Sequence, residues 1–208
     1  MKKINIIFGG FKLSKKVLNK YSKIYKEPTI IIPLTIPCLI CRQYYSDYKR
    51  LNSLFKLHDD VHIHVMSGSC HYLFNFLEKF PKNKSKIKSQ IFDSPCHALG
   101  ISTSLNKIYG IPNYLTKKSI NTLFNNCVYT SNEFMKKPII KNIPTGIIIS
   151  NNDLIAPKKY INLMINNWDK TIDINIMKTN SKHLESFKDN PIEYEEFCNF
   201  IKFKNLKN

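Results

Sequence analysis

The stretch VHIHVMSGSCHYLFNFLEKF, residues 61–80, decides the fold of this chain. Its opening apolar run predicts a buried β-strand over residues 61–66, and apolar residues then recur at helical spacing over 70–80. Ser67 and Gly68 separate the two patterns. A strand that breaks on small residues and leads directly into a helix is how several α/β folds hold a reactive side chain out of the sheet.

Strand-like and helix-like stretches alternate along the rest of the chain, whereas residues 81–90 are polar and basic and are expected to form a loop. This alternation predicts an α/β fold with a mostly parallel, doubly wound sheet of six strands, covered on both faces. The predicted strands are 4–8, 29–34, 61–66, 91–95, 145–150 and 172–178, and the predicted helices are 14–25, 46–57, 70–80, 156–168 and 191–203.

No Ser/Gly-rich linker divides the 208 residues, so residues 1–208 are expected to form a single domain. The exception to the regular alternation is the segment 96–142, which we expect to form a small helical cap or lid. Four apolar residues of that segment would offer an apolar pocket for an acyl or alcohol group: Tyr114, Leu115, Phe124 and Phe134.

The formal net charge is +17, but only Arg42 and Arg50 among the 32 basic residues are arginine. Arginine is the preferred ligand of phosphates and guanine edges, so we expect no specific nucleic-acid partner. Richness in Lys, Ile and Asn is typical of an AT-rich coding sequence. The charge still predicts a weak association with anionic membranes.

The start of the chain lacks a signal-peptide pattern. The longest apolar run of the whole chain, residues 29–41, has only 13 residues and contains two prolines. A membrane-spanning helix needs about 20 residues. We therefore expect an intracellular, cytoplasmic protein with reduced thiols. Cys38 and Cys41 form a lone CxxC without a second ligand pair, so we expect neither a metal site nor a cofactor.

Doubly wound sheets bind ligands beyond the carboxyl ends of their strands, so polar residues there are candidate site residues. Three of them supply a nucleophile, an acid and a base in the order Ser67, Asp153 and His183, which is the order found in α/β-hydrolases. An imidazole accepts the serine proton and later returns it, while a carboxylate holds the ring in one tautomer. The sequence therefore predicts a serine hydrolase.

Backbone N–H groups would stabilise the oxyanion of such a reaction. One candidate is Gly68, at the start of a helix, and Gly10 and Phe11 supply a second, in the turn after the first strand. The pocket would include further residues near the ends of strands: Gly9, Ser69, Cys70, Asp93 and Ser94.

Alternative roles exist for several of these residues. Sterics do not choose between Ser67 and Ser69 as nucleophile, because each has one crowded neighbour two residues away. Cys70 is an alternative nucleophile, since helix N-termini activate thiolates. Asp93 is either a second candidate acid or a turn cap. His62 and His64 share one face of a strand, and a packed or hydrogen-bonded pair is the simpler interpretation.

Four stretches resemble the transmembrane protein 53 family, a group of unknown function with the α/β-hydrolase fold. They are FGGFKLSKKVLNKYSKIYKEPTIIIPLTI (8–36), VHIHVMSGSC (61–70), IIISNNDLIAP (147–157) and SKHLESFKDNPIEYEEFCNFI (181–201). The resemblance implies that Ser67 is the nucleophile, Asp153 the acid and His183 the base. This chain departs from the family where Ser69 and Cys70 replace a Gly-Gly pair and where Phe187 stands near the family's second histidine.

Two functions are compatible with the sequence. The first is a serine esterase or lipase-like hydrolase that cleaves a carboxylic ester or thioester, or a lipid-like substrate, through an acyl-enzyme intermediate. The second is a catalytically inactive hydrolase-fold protein that serves as a binding or scaffold module at anionic membrane surfaces. The imperfect turn around Ser67 motivates this alternative.

Overall fold

The computed structural model describes residues 2–10, 13–34, 45–97, 100, 106, 110–112, 114–115, 118, 125–168 and 172–204. Strands and helices alternate over these residues, with one 3-10 helix at Pro81–Lys86. The strands are β1 (Lys3–Phe8), β2 (Thr29–Ile32), β3 (Asp60–Met66), β4 (Ile87–Asp93), β5 (Thr145–Ser150) and β6 (Ile174–Thr179). The helices are α1 (Lys15–Ser22), α2 (Tyr45–Leu57), α3 (Ser69–Lys79), α4 (Asn125–Lys136), α5 (Lys158–Trp168), α6 (Ser186–Asp189) and α7 (Pro191–Phe203).

The six strands form one parallel sheet in the order β2-β1-β3-β4-β5-β6. The chain first extends the sheet from β1 to β2, then returns to the other side of β1 and continues outward to β6. The order therefore reverses between β1 and β3, which is where doubly wound sheets bind ligands. The predicted fold class, a six-stranded parallel sheet with helices on both faces, is confirmed.

Alternating side chains of the strands fill two separate cores. On one face, Ile6 and Phe8 of β1 pack in a cluster that includes α2, α3, α4 and α5. On the other face, Ile7 packs in a cluster with α1 and α7. Each buried aliphatic or aromatic side chain contributes about 1.5–3 kcal/mol to the free energy of folding. The second face matters most for the site, since α1 and α7 lie against the loop after β6.

β4 begins at Ile87, four residues before the predicted start. The expectation of a loop over residues 81–90 was wrong at its end because lysines dominate the composition there. In the structure Ile87 and Ser89 are buried and pair with β3, while the side chain of Lys86 donates to the backbone carbonyl of Phe55. Apolar and polar residues alternate at the start of β4, as in a strand, but lysines at the outward-facing positions made the stretch look like a charged loop.

Most of the segment 96–142 lies outside the described residues, and its role as a cap stays a prediction. Its described helix, α4, covers one face of the sheet. There Phe134 is buried between Phe92 and Trp168, with ring centroids 5.3 and 4.9 Å away. Phe134 therefore belongs to the core and does not line an acyl pocket. Within the described ranges, no helix combines the length and the apolar character needed to cross a membrane.

Candidate functional site

Ser67 forms the turn between β3 and α3, with a positive φ of 51°. Non-glycine residues rarely adopt this conformation, and such strain clusters at functional sites. The N–H of Ser67 donates to the carbonyl of Asp93 at 2.8 Å, which fixes the turn against the end of β4. Ser94 and Leu184 also have positive φ, of 49° and 58°, at the same edge of the sheet.

The structure brings Ser67, His183 and Asp153 together at this edge. The Ser67 Oγ lies 2.9 Å from His183 Nε2, and His183 Nδ1 lies 2.6 Å from Asp153 Oδ2. Because the carboxylate only accepts, His183 Nδ1 carries the proton and Nε2 accepts the serine hydroxyl. This arrangement is the one in which an imidazole can remove the proton from a serine hydroxyl.

The side chain of Asp153 is fully buried, but its surroundings favour the ionised carboxylate. Burial alone raises the pKa of a carboxyl group, but here the hydrogen bond and the charge of His183 lower it. The N–H groups of Ile155 and Ala156 also donate to Asp153 Oδ1, each at 2.8 Å. Together these interactions hold the pKa of Asp153 below its usual value and fix the carboxylate toward His183.

The loops that carry Asp153 and His183 are hydrogen-bonded to each other. Asn151 N–H donates to the carbonyl of Thr179 at 2.9 Å, and the Ser150 hydroxyl donates to the carbonyl of Ser181. The side chain of Asn152 donates to the carbonyl of Asn180. Asp153 and His183 are therefore held by two loops, after β5 and β6, that are hydrogen-bonded to each other.

The turn after β1 lies close to the loop after β6, which carries His183. Gly9 N–H donates to the carbonyl of Ile32 at 2.8 Å, so this donor belongs to the sheet. A methyl group on Gly10 would lie 2.3 Å from the side chain of Leu184, the residue after His183. A side chain at position 10 would therefore require the Leu184 side chain to move. Phe11, the other predicted oxyanion donor of this turn, lies outside the described residues.

The side chains of Ser69 and Cys70 contact groups other than the His183 ring. The Ser69 hydroxyl donates to the carbonyl of Gly9 at 2.6 Å, so it ties the start of α3 to the turn after β1. Cys70 is fully buried, and its thiol lies 3.8 Å from the carbonyl of Cys96. Gly68 precedes the first residue of α3, as expected for a donor at a helix N-terminus. Cys96, whose sulfur lies 3.5 Å from the Ser67 Oγ, was not among the residues predicted for the site.

Asp93, the second candidate acid, is hydrogen-bonded to other groups than His183. Its Oδ2 accepts from the Tyr194 hydroxyl at 2.6 Å, and its Oδ1 accepts from Ser94 at 3.0 Å. Complete burial raises the pKa of Asp93 to about 6, although these two hydrogen bonds and the charge of His183 oppose the rise. Asp93 is thus a buried carboxyl group next to the candidate site.

His64 and His62 are both hydrogen-bonded, as the sequence suggested. His64 lies between two tyrosines, with Nδ1 2.9 Å from the Tyr25 hydroxyl and Nε2 3.0 Å from the Tyr194 hydroxyl. Burial lowers the pKa of His64 to about 3, so the ring is neutral. His62 bonds Ser89 and Asp60 nearer the opposite edge of the sheet. In the described part of the chain, no group of three or more His, Cys, Asp or Glu side chains is arranged to hold a metal ion.

Three tyrosines beneath the site were missed by reasoning from the sequence. Tyr21 donates to the carbonyl of Leu184 at 2.9 Å, while Tyr25 and Tyr194 contact His64. Their spacing was visible in the Tyr-x-x-x-Tyr pattern of residues 21–25 and in Pro-x-x-Tyr of residues 191–194. Because apolar packing explained both patterns, no polar role was assigned to them.

Comparisons with known proteins support the fold. No family model matches the chain, and no curated protein matches it in sequence. An esterase from Pyrococcus furiosus superposes with a TM-score of 0.68 at 11% identity, over 98% of this chain and 82% of the esterase. A monoacylglycerol lipase from Paleococcus ferrophilus superposes with a TM-score of 0.57 at 15% sequence identity, over 96% of this chain and 92% of the lipase. MGS-M2, an α/β-hydrolase enzyme from a deep-sea metagenome, superposes with a TM-score of 0.58 at 13% sequence identity, over 98% of this chain and 90% of MGS-M2. The chain therefore has the α/β-hydrolase fold.

Proposed function

We propose that this protein is a serine hydrolase that cleaves a carboxylic ester or thioester through an acyl-enzyme intermediate. The observation that carries the proposal is the continuous pair of hydrogen bonds from Ser67 Oγ through His183 to Asp153. The strained backbone at Ser67 supports it, because a residue that serves only as a helix cap does not require a positive φ.

In the first half of the reaction, Ser67 Oγ bonds to the carbonyl carbon of the substrate while His183 Nε2 takes the hydroxyl proton. The negative charge moves to the carbonyl oxygen, where the N–H groups of Gly68 and of Gly10 or Phe11 donate to it. The tetrahedral intermediate then collapses. Its C–O or C–S bond breaks, and His183 gives the proton to the leaving alcohol or thiol.

Hydrolysis of the acyl-enzyme completes the cycle. Water attacks the acyl carbon while His183 Nε2 takes a proton from it, and collapse of the second intermediate returns that proton to Ser67 Oγ. Asp153 stays ionised throughout and stabilises the imidazolium that forms in each half-reaction. Its depressed pKa suits this role.

The proposed substrate is a small ester or a lipid-like ester. Structural neighbours named as an esterase and a monoacylglycerol lipase support this class. The stretches that resemble the transmembrane protein 53 family contain Ser67, Asp153 and His183, so membership of that family is part of the proposal. No cofactor enters any of the steps above.

A fluorophosphonate probe tests the assignment directly. We expect the wild type to be labelled, Ser67→Ala to show no labelling and His183→Ala to be labelled at least a hundredfold more slowly. Ser69→Ala is the matched control, since it removes a neighbouring hydroxyl and leaves Ser67 in place, and it should still be labelled to completion, although more slowly than the wild type. A wild type that resists labelling would favour the inactive binding module, and labelling of Ser67→Ala would exclude Ser67.

We also propose a weak, salt-sensitive attraction to anionic membranes. Exposed lysines on and just after α1 support it: Lys15, Lys16, Lys20, Lys23 and Lys26. Sedimentation with phosphatidylserine vesicles should fall sharply between about 0.05 and 0.2 M salt if electrostatics dominates. Binding that does not change with salt would contradict the electrostatic proposal.

A further inference from the structure

A buried chain of polar side chains leads from Tyr25, three residues after the end of α1, to the end of β4. It consists of Tyr25, His64 and Tyr194, which we call the tyrosine–histidine chain, and it ends on Asp93. All four residues are buried. Buried polar groups of this kind are costly unless every member finds a partner, so such a network needs an explanation beyond packing.

The hydrogen bonds of the chain all run in one direction. Asp93 accepts the Tyr194 proton at 2.6 Å, so the oxygen of Tyr194 is left to accept from His64 Nε2–H. His64 is neutral, and its unprotonated Nδ1 therefore accepts from Tyr25. Each donor points toward Asp93, so the chain stabilises a negative charge on that carboxylate.

Asp93 is placed next to the reacting residues by the topology of the sheet. It is the last residue of β4, which lies between β3 and β5, and the residues that follow those strands include Ser67 and Asp153. Its own carbonyl accepts the N–H of Ser67 at 2.8 Å. The charge of His183 lowers the pKa of Asp93, so opposite charges on the two side chains attract each other.

We propose that Asp93 is a positioning residue of this hydrolase: its carboxylate, fixed by the tyrosine–histidine chain, stabilises the positive charge that His183 acquires when Ser67 attacks. This inference rests on the proposed hydrolase function. A carboxylate so deeply buried is unfavourable for folding, and an asparagine could make similar hydrogen bonds without the charge. The structure therefore keeps at this position a charge that serves the site rather than the packing.

The test is Asp93→Asn, measured as kcat and KM on a short p-nitrophenyl ester from pH 5 to pH 9. We expect kcat to fall about tenfold with KM changed less than twofold, and thermal stability at pH 8 to be equal or higher. The pH at which kcat/KM reaches half of its plateau should move down, because the variant removes a negative charge beside the site. The ionisable groups around Asp93 that shape this profile are Tyr21 and Tyr25 near α1, His64 on β3, Tyr194 and Cys198 on α7, and Asp153 and His183 in the loops.

Two further variants keep the test decisive. Tyr194→Phe removes a donor but keeps the carboxylate, so Asp93 should hold its proton to higher pH and kcat should fall more at pH 6 than at pH 8. Asp60→Asn is the control, since it removes another buried carboxylate, at the opposite end of the neighbouring strand and bonded to His62. It should leave kcat unchanged.

The outcomes separate this inference from the proposed function. An inactive wild type removes both. An active wild type with an unchanged kcat and pH profile in Asp93→Asn overturns only the role of Asp93. A loss of kcat that parallels a loss of thermal stability, without a shift of the profile, also overturns it, because that pattern belongs to a structural residue.

Discussion

The hydroxyl of Tyr21 donates a 2.9 Å hydrogen bond to the carbonyl oxygen of Leu184, the residue that directly follows His183. Leu184 has a φ of 58°, a conformation that a leucine keeps only when its surroundings enforce it. Tyr21 lies on α1, whereas His183 lies in the loop after β6. The loop that carries the candidate base is therefore held by a contact between opposite ends of the chain.

The variant Tyr21→Phe removes this hydrogen bond and retains the ring. We expect kcat to fall about tenfold because His183 is held less accurately, with KM changed less than twofold. The free energy of unfolding should fall by about 1 kcal/mol. Steady-state kinetics and urea unfolding measure the two effects.

Tyr48→Phe is the matched control for that change. The Tyr48 hydroxyl also contacts a backbone carbonyl, that of Tyr72 at 3.5 Å, but in the core on the other face of the sheet. Its loss should leave kcat within about twofold of the wild type. Equal losses of kcat in the two variants would count against a specific role for Tyr21.

The sheet and the three candidate catalytic residues were predictable because their signals are local. Each strand is a short apolar run, and parallel strands bring their carboxyl ends to one edge whatever the details of packing. This is why Ser67, Asp153 and His183 could be grouped from the sequence although 116 positions separate the first from the last. Their hydrogen bonds are geometric findings, and their catalytic roles remain proposals.

The supporting groups could not be predicted because their roles depend on tertiary contacts. Tyr21 and Tyr194 fit the apolar faces of their helices, and Tyr25 fits the apolar core after α1, equally well whether or not their hydroxyls have partners. The contact between Cys96 and Ser67 depends on the path of a loop, which no periodicity encodes. Likewise, α4 was hidden in a segment without a clear apolar pattern.

Gly10→Ala tests the close contact between the turn after β1 and the loop that carries His183. The added methyl group would lie 2.3 Å from the Leu184 side chain, so that side chain must move, and we expect the movement to disturb the adjacent His183. We expect kcat to fall more than tenfold and the free energy of unfolding to drop by about 1–3 kcal/mol, as in overpacked cores. Probe-labelling rates and chemical unfolding give both values.

The double variant Gly10→Ala/Leu184→Ala separates the clash from other effects of Gly10. Shortening Leu184 removes the atom that the new methyl group meets. If the clash is the cause, the double variant should label faster than Gly10→Ala alone. A double variant as slow as the sum of the two single changes would show that Gly10 acts in another way.

Ser69→Ala tests the tie between α3 and the turn after β1. The Ser69 hydroxyl donates to the Gly9 carbonyl at 2.6 Å, so its loss should loosen the predicted oxyanion donors. We expect kcat to fall about three- to tenfold, while fluorophosphonate labelling of Ser67 goes to completion more slowly. Complete loss of labelling would instead indicate that Ser69 is the nucleophile.

Asp153→Asn should affect both catalysis and acid stability. Removing the acceptor of His183 Nδ1–H favours the wrong tautomer, and kcat should fall by about three to four orders of magnitude. The pKa of Asp153 is lower in the folded state than the ordinary value of 3.8. Its ionised form therefore stabilises the fold above the unfolded pKa, and this contribution is lost as pH falls through the folded pKa. At pH 7 the variant should have a lower free energy of unfolding than the wild type, and it should lose less of that free energy as the pH falls. A variant that loses as much stability in acid as the wild type would contradict this linkage.

Asp93→Asn should have the opposite effect on stability. The pKa of Asp93 is about 6 in the folded state against an ordinary 3.8, so the folded protein retains a proton that the unfolded chain releases. Stability from this group therefore falls as pH rises from about 4 to about 6. A difference of about two pKa units corresponds to about 3 kcal/mol for a fully buried group. Above pH 7 the asparagine variant should gain up to that amount in urea unfolding, while at pH 4 it should match the wild type. A variant that is less stable at pH 8 than at pH 4, relative to the wild type, would show that the Asp93 charge stabilises the fold.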